Sequence, residues 1–279
     1  MHLTRRAWLA MLGAASTLRG AARLARYPYV ANVRRDRATI TWTTLDPGAG
    51  SVEFAPDDSF SFRSAAGVEE FSSARTGLGY AYHQFRADLN GLRPDTEYRY
   101  RVAVDGAVLD GGPLLRFRTP GSGPLKFVAV GDTGQNTAVQ NEIALLMAEE
   151  NPALIVHTGD VVYPVGGWTE YQDFYFTPYE DLARRAPFYL SLGNHDVMTS
   201  SGDPYLSLHA HPSDGVPAAD RGRYYSFDWG NVHFLSLDSN APVIPGEAAM
   251  ARMLQWLDND LAASRQFWRI AYFHHPPYA

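Results

Sequence analysis

Phe127-Val128-Ala129-Val130-Gly131-Asp132-Thr133-Gly134, Leu154-Ile155-Val156-His157-Thr158-Gly159-Asp160-Val161-Val162-Tyr163 and Phe188-Tyr189-Leu190-Ser191-Leu192-Gly193-Asn194-His195-Asp196 share one pattern. An apolar, strand-like run (125–130, 153–157, 187–192) ends at a glycine, and a polar loop follows. Glycine lets the backbone turn sharply and approach a bound ion or ligand closely. Carboxylate, phenol, amide and imidazole groups are metal ligands or acid/base groups. Three such loops at one edge of a parallel sheet converge on a single site, the layout of a dinuclear metal centre.

The segments between and after these runs support that sheet. Helical patterns over 136–150 and 169–185 alternate with the strands, giving a βαβαβ order and a parallel, mostly buried sheet. Downstream, strands 223–227 and 232–237 flank Asp228-Trp229-Gly230-Asn231 as a hairpin. The spacing of Met250, Met253, Leu254, Leu257 and Leu261 predicts a helix over 246–263. A last strand, 267–273, runs into His274-His275-Pro276-Pro277-Tyr278.

Upstream the composition changes at the linker Thr119-Pro120-Gly121-Ser122-Gly123-Pro124. Residues 28–119 read as short β-strands (38–44, 51–54, 82–89, 97–104, 114–119) with no helical period, which predicts an all-β sandwich. Asp105-Gly106 is a hairpin turn joining the strand that ends at Val104 to one that begins at Val108.

The chain has 279 residues, 46% hydrophobic and 19% charged, as expected of a folded globular protein with one or two domains. A net charge of −6 offers no footprint for nucleic acid. With no cysteine, disulfides, thiol nucleophiles and thiolate metal sites are excluded, so any metal here takes oxygen and nitrogen ligands. Thr4-Arg5-Arg6-Ala7-Trp8-Leu9 precedes a short apolar run, 10–18, and resembles a twin-arginine export signal. The expectation is a leader over 1–26, cleaved near Ala21-Ala22, and a periplasmic or secreted protein that touches a membrane only through an uncleaved leader. A frayed amphipathic helix is the alternative.

Among the polar residues, a lone Asp132 beside a glycine is what any turn uses. Asp160 with Tyr163 three residues on is a pair suited to one hard, oxidised ion such as Fe(III), because carboxylate and phenolate are hard anionic ligands. Asn194 offers a neutral carbonyl oxygen. His195 can donate a proton to a leaving group, with Asp196 expected to fix its tautomer and raise its pKa. His274 or His275, after the last strand, is a metal ligand by type and position. His209-Ala210-His211 reads as a solvated loop, and His157 and His233 as core histidines.

The order Asp-x-Gly, Gly-Asp-x-x-Tyr, Gly-Asn-His-Asp and a strand-end histidine resembles the metallophosphoesterase (calcineurin-like) superfamily. Tyr163, the run Leu89–Val102 with its corner tyrosine Tyr98, and Tyr224-Tyr225-Ser226-Phe227-Asp228 with Val232-His233-Phe234 resemble the purple acid phosphatases and the fibronectin type III-like domain that precedes their catalytic domain. The resemblance implies a leader (1–26), a fibronectin III-like N-terminal domain (27–120) and an α/β metallophosphoesterase domain (121–279). It implies Fe(III) on Asp132, Asp160 and Tyr163, and a second divalent ion (Zn, Fe or Mn) on Asp160, Asn194 and His274. His195 and Asp196 would be catalytic, and His275 would face substrate. The implied reaction is hydrolysis of a small-molecule phosphate ester, of acid phosphatase type. A phosphodiesterase on the same scaffold and a non-catalytic binding module are the alternatives. The family's final Gly-His-x-His does not occur in this sequence, so the chain is read as C-terminally incomplete, or as a degenerate relative.

Overall fold

The structure is a computed structural model that describes residues 21–135 and 137–278. The twin-arginine-like segment, 1–20, lies outside the described residues.

The first domain is the expected sandwich. Its strands are β1 (Leu24–Ala31), β2 (Arg37–Thr44), β3 (Gly50–Ala55), β4 (Phe62–Ala65) and β5 (Gly67–Phe71). After one helical turn, α1 (Ser73–Thr76), come β6 (Tyr82–Asn90), β7 (Glu97–Val104), β8 (Ala107–Asp110) and β9 (Arg116–Arg118). One sheet has the order β1-β2-β6-β5. The other has β4-β3-β7-β8, with β9 also on β7. Trp42 stacks on Phe85 between the sheets at 5.1 Å. Tyr98, the second residue of β7, is buried at the corner that leads into that strand, with its hydroxyl accepting from the Arg93 amide at 2.8 Å. Such a bond ties an arch between sheets to its own strand.

β1 begins at Leu24, paired with Thr44, so residues 24–26 belong to the sandwich. Arg26 is buried, with its guanidinium over the Phe176 ring at 4.0 Å and Nε donating to Gln172 at 3.0 Å. A basic residue in a strand looks like part of a cationic leader until a distant aromatic covers it.

The second domain begins with β10 (Phe127–Val130), α2 (Ala138–Glu149), β11 (Leu154–His157), α3 (Trp168–Glu170), α4 (Glu180–Ala183) and β12 (Phe188–Leu190). It continues with α5 (Asp203–Leu208), β13 (Tyr225–Trp229), β14 (Val232–Ser236), α6 (Glu247–Ala263) and β15 (Trp268–Tyr272). β10, β11 and β12 are parallel and adjacent, as the alternation predicts. β13 and β14 form the hairpin, and β15 adds parallel to β14. The helix expected over 169–185 is broken: a wide turn at Tyr171–Phe176 separates α3 from α4. Pro178, which cannot donate a helical hydrogen bond, stands between that turn and α4. The buried face of α6 is Ala249, Met253 and Trp256, while Leu254 points outward.

The domains pack through the outer face of β1, β2 and β6. Ile40 and Trp42 point into the sandwich, and Thr39, Thr41 and Thr43 are buried too, against the second domain. Tyr29 donates to Leu208 O at 2.6 Å, Tyr100 to Arg184 O at 2.7 Å and Tyr189 to Val33 O at 2.5 Å. Buried tyrosines supply apolar area and one satisfied hydroxyl each.

His233 is a core histidine, as expected, but a charged one. Nδ1 meets Asp228 and Nε2 meets Asp260, both at 2.6 Å. Burial alone would lower its pKa; the bonds to the two carboxylates outweigh burial and take it to about 9. A folded-state pKa above the unfolded value of about 6.5 gives stability that is complete below that value and lost as pH rises through about 9. Discounted for the half-exposed Asp228, the loss expected between pH 7 and 10 is about 2 kcal/mol. Urea unfolding across that range checks it: His233→Gln removes this part of the pH dependence.

Candidate metal centre

The three strands stop at one edge of the sheet, and their loops are interleaved by backbone hydrogen bonds. Thr158 N donates to Val130 O, Asp132 N to Gly159 O, Tyr163 N to Gly134 O and Ser191 N to His157 O. Asp132 and Asp160 both adopt positive φ, 56° and 49°, a conformation that costs a non-glycine residue about 1 kcal/mol or more and gathers at functional sites. Gly193 packs so closely that a Cβ there would lie 2.1 Å from both the amide nitrogen and Oδ1 of Asp160. Gly159, at φ +104°, leaves no room for a side chain between Gly193 and His274.

Asp132, Asp160 and His274 each bring one ligand atom within 4.8 Å of the others. Tyr163 donates to Asp132 Oδ1 at 2.8 Å. His274 Nε2 lies 3.4 Å from Asp160 Oδ2 and 3.1 Å from Asn194 Oδ1. All five expected ligands thus converge from four separate loops. Burial, then the hydrogen bonds to Asp132 and Asp160, raise the Tyr163 phenol above its ordinary pKa. Two carboxylates, an amide oxygen and an imidazole crowd together with few donors among them, so the cluster suits a hard cation.

His195 faces this group. Its amide donates to Asp160 Oδ1 at 2.9 Å, and its Nε2 stands 3.9 Å from Asp160 Oδ2. Its ring packs on Tyr163 with centroids 4.5 Å apart. The expectation that Asp196 orients His195 is corrected. His195 Nδ1 bonds to Pro164 O at 2.5 Å, so a backbone carbonyl sets the ring. Asp196 is fully buried and turned away. It accepts from Gly193 N at 2.8 Å, from Val161 N at 3.0 Å and from the Tyr171 hydroxyl at 2.8 Å. Burial pushes its pKa up to about 6, against the pull of the Gly193, Tyr171 and Val161 donors. Asp196 therefore ties the Asp160 loop to the Asn194 loop.

His275 bonds through Nδ1 to Ser239 Oγ at 2.7 Å and lies edge-on to His274. His157 is the core histidine expected beneath the loops. Nδ1 accepts from Gly159 N, so Nε2 carries the proton toward Thr133 Oγ1 at 3.0 Å, and burial lowers its pKa to about 3.

His209 and His211 are not a solvated loop. His211 stacks between Tyr205 and Tyr225. His209 packs on Phe176 and on Tyr171 and Tyr175. Burial lowers the pKa of both, to about 3 for His211. Loop composition hid this because, apart from Tyr205, the covering rings come from other elements.

The sequence reading missed a further loop, Leu237-Asp238-Ser239-Asn240, at the end of β14. It follows an apolar strand as the other three do, and that pattern was the available signal. Tyr171, which braces Asp196 from within a helical segment, carried none.

A β-sandwich ahead of a parallel-sheet domain, with carboxylates, phenol, amide and imidazoles gathered on its strand-end loops, is the architecture of a metallophosphoesterase. The chain belongs to the calcineurin-like phosphoesterase family, which residues 125–279 match; residues 27–119 match the purple acid phosphatase N-terminal domain. Purple acid phosphatase 21 of Arabidopsis thaliana is 24% identical over 256 residues, 88% of this chain and 55% of that protein. Acid phosphatase type 7 of Mus musculus is 23% identical over 256 residues, 86% of this chain and 56% of that protein. The solved structure of a purple acid phosphatase from yellow lupin (Lupinus luteus) seeds shares the fold, with a TM-score of 0.73 at 20% identity, covering 91% of this chain and 51% of that one. The chain spans about half the length of the curated relatives it matches.

Proposed function

We propose that this protein hydrolyses small-molecule phosphate esters at a dinuclear metal centre, as a phosphatase of purple acid type. The carrying observation is the convergence of Asp132, Asp160 and His274 ligand atoms within 4.8 Å, with Tyr163 and Asn194 in direct contact with them. On this reading Asp132, Asp160 and Tyr163 hold Fe(III), and Asp160, Asn194 and His274 hold a divalent Zn, Fe or Mn ion. When bound, such a pair supplies positive charge for a phosphoryl group and makes water more acidic. Asp160 sits between the two sets, one oxygen fixed by the His195 amide and the other facing His274 and His195. His195, with Nδ1 committed to Pro164 O, presents Nε2 to the site and would deliver a proton from that atom to the leaving alkoxide. His275 is proposed to approach the substrate, anchored through Ser239. We also place the protein outside the cytoplasm, on the strength of the Thr4–Leu9 leader pattern. Among the described residues no helix is long and apolar enough to cross a membrane.

Metal analysis and p-nitrophenyl phosphate turnover of the full chain test the proposal. Two ions per chain with turnover are expected. A chain with neither metal nor turnover refutes it. Tyr163→Phe should abolish the tyrosinate-to-iron absorption while leaving the fold intact; a colourless, active wild type would exclude iron at that position. His195→Ala should lower kcat by about a hundredfold to a thousandfold with metal content unchanged.

A further inference from the structure

We propose that the loop Asp238-Ser239-Asn240 is a positioning clamp that sets the spacing between Asn194 and His274, the pair read above as ligands of the second, divalent ion. The inference rests on that reading of the site.

Asn194 and His274 are 80 positions apart in the chain, yet Asn194 Oδ1 and His274 Nε2 lie 3.1 Å apart. The loop after β14 touches both carriers. On one side Asn240 Nδ2 donates to Leu192 O at 3.2 Å and Gly193 O at 3.3 Å, the carbonyls just before Asn194. Asn240 is aimed by Asp238, whose Oδ1 accepts from its side chain at 3.1 Å and its amide at 2.9 Å. Arg223 braces the other Asp238 oxygen at 3.4 Å. On the other side Ser239 Oγ accepts from the His275 amide at 3.1 Å and bonds His275 Nδ1 at 2.7 Å, fixing the peptide that follows His274. Adjacent residues of one loop thus grip both ligand-bearing loops. Asp238 and Asn240 are buried and Ser239 half-buried, so the clamp is shielded from water. Partners outside the ligand shell typically set metal affinity by tenfold to a hundredfold.

Zn2+ titration of the full chain loaded with Fe(III) alone, with its absorption through Tyr163 as the readout of the first site, tests the proposal. Ser239→Ala should weaken Zn2+ binding at the second site by about tenfold and Asn240→Ala by up to about a hundredfold, with the Fe(III) band unchanged. Asn194→Ala marks complete loss of that site. Ser239→Thr, which keeps the hydroxyl, should retain wild-type affinity. Should the buried Asn240→Ala not fold, the half-buried Ser239 pair of variants decides alone. Wild-type second-site affinity in Ser239→Ala, or equal weakening of both sites, overturns the clamp, as does a Thr variant as weak as Ala. A wild type that binds no metal overturns instead the reading of the site, and the clamp with it.

Discussion

Replacing Asp160 by asparagine is expected to lower kcat/KM for a phosphate ester by about a thousandfold or more, roughly 4 kcal/mol of transition-state stabilisation, and to cost the chain at least one bound ion. Asp160 is the residue on which the site converges. Its Oδ1 is held by the His195 amide, and its Oδ2 faces His274 at 3.4 Å and His195 at 3.9 Å. Asparagine matches its size and can keep the bond from His195 N. It removes the negative charge and turns N–H donors toward atoms that would otherwise accept a cation. Melting temperature should therefore change little while metal content and turnover collapse. Steady-state hydrolysis with elemental analysis of the same sample measures both. An Asp160→Asn protein holding two ions at wild-type turnover would sink the assignment.

Asp196→Ala is expected to destabilise the fold by about 3–5 kcal/mol. The carboxylate is fully buried and takes hydrogen bonds from two backbone amides and a tyrosine hydroxyl. Alanine leaves the Val161 and Gly193 amides and Tyr171 unpaired in a site water does not reach, and each orphaned group costs about 1–3 kcal/mol. Because Val161 follows Asp160 and Gly193 precedes Asn194, loss of metal should accompany loss of stability. Asp196→Asn keeps one acceptor oxygen and should lose less. Chemical denaturation gives the size of the effect. The pH–rate profile of Asp196→Asn separates the two roles considered for this residue. An aspartate that steered His195 would shift the limb set by that imidazole on removal. A residue bonded only to the loops leaves it in place, which is the expected result.

Much of this was legible in the chain because it is local. An apolar run followed by Gly-Asp or Gly-Asn-His-Asp states strand and turn within ten residues, so the parallel sheet could be read from the chain itself, while the ligand roles of Asp132, Asp160, Tyr163, Asn194 and His274 came from the family resemblance of the ordered motifs. The sandwich was legible for the same reason, down to Tyr98 at its corner. The absence of cysteine limited the ligand chemistry to oxygen and nitrogen.

Tertiary structure alone decided the partners. Nothing in Gly-Asn-His-Asp says that the aspartate turns inward while a carbonyl 31 positions upstream, Pro164 O, takes the histidine. Adjacent residues in a tight turn point in different directions, and which one meets which group depends on loops brought in from elsewhere. The His209–His211 pair was misread for a related reason: the rings that bury it belong to Tyr171–Phe176, Tyr205 and Tyr225. Sequence by itself determined the residue types at the strand ends and hence the kind of ion they suit. Folding determined which of those groups touch, because contact is a property of several chain segments meeting and no one segment encodes it.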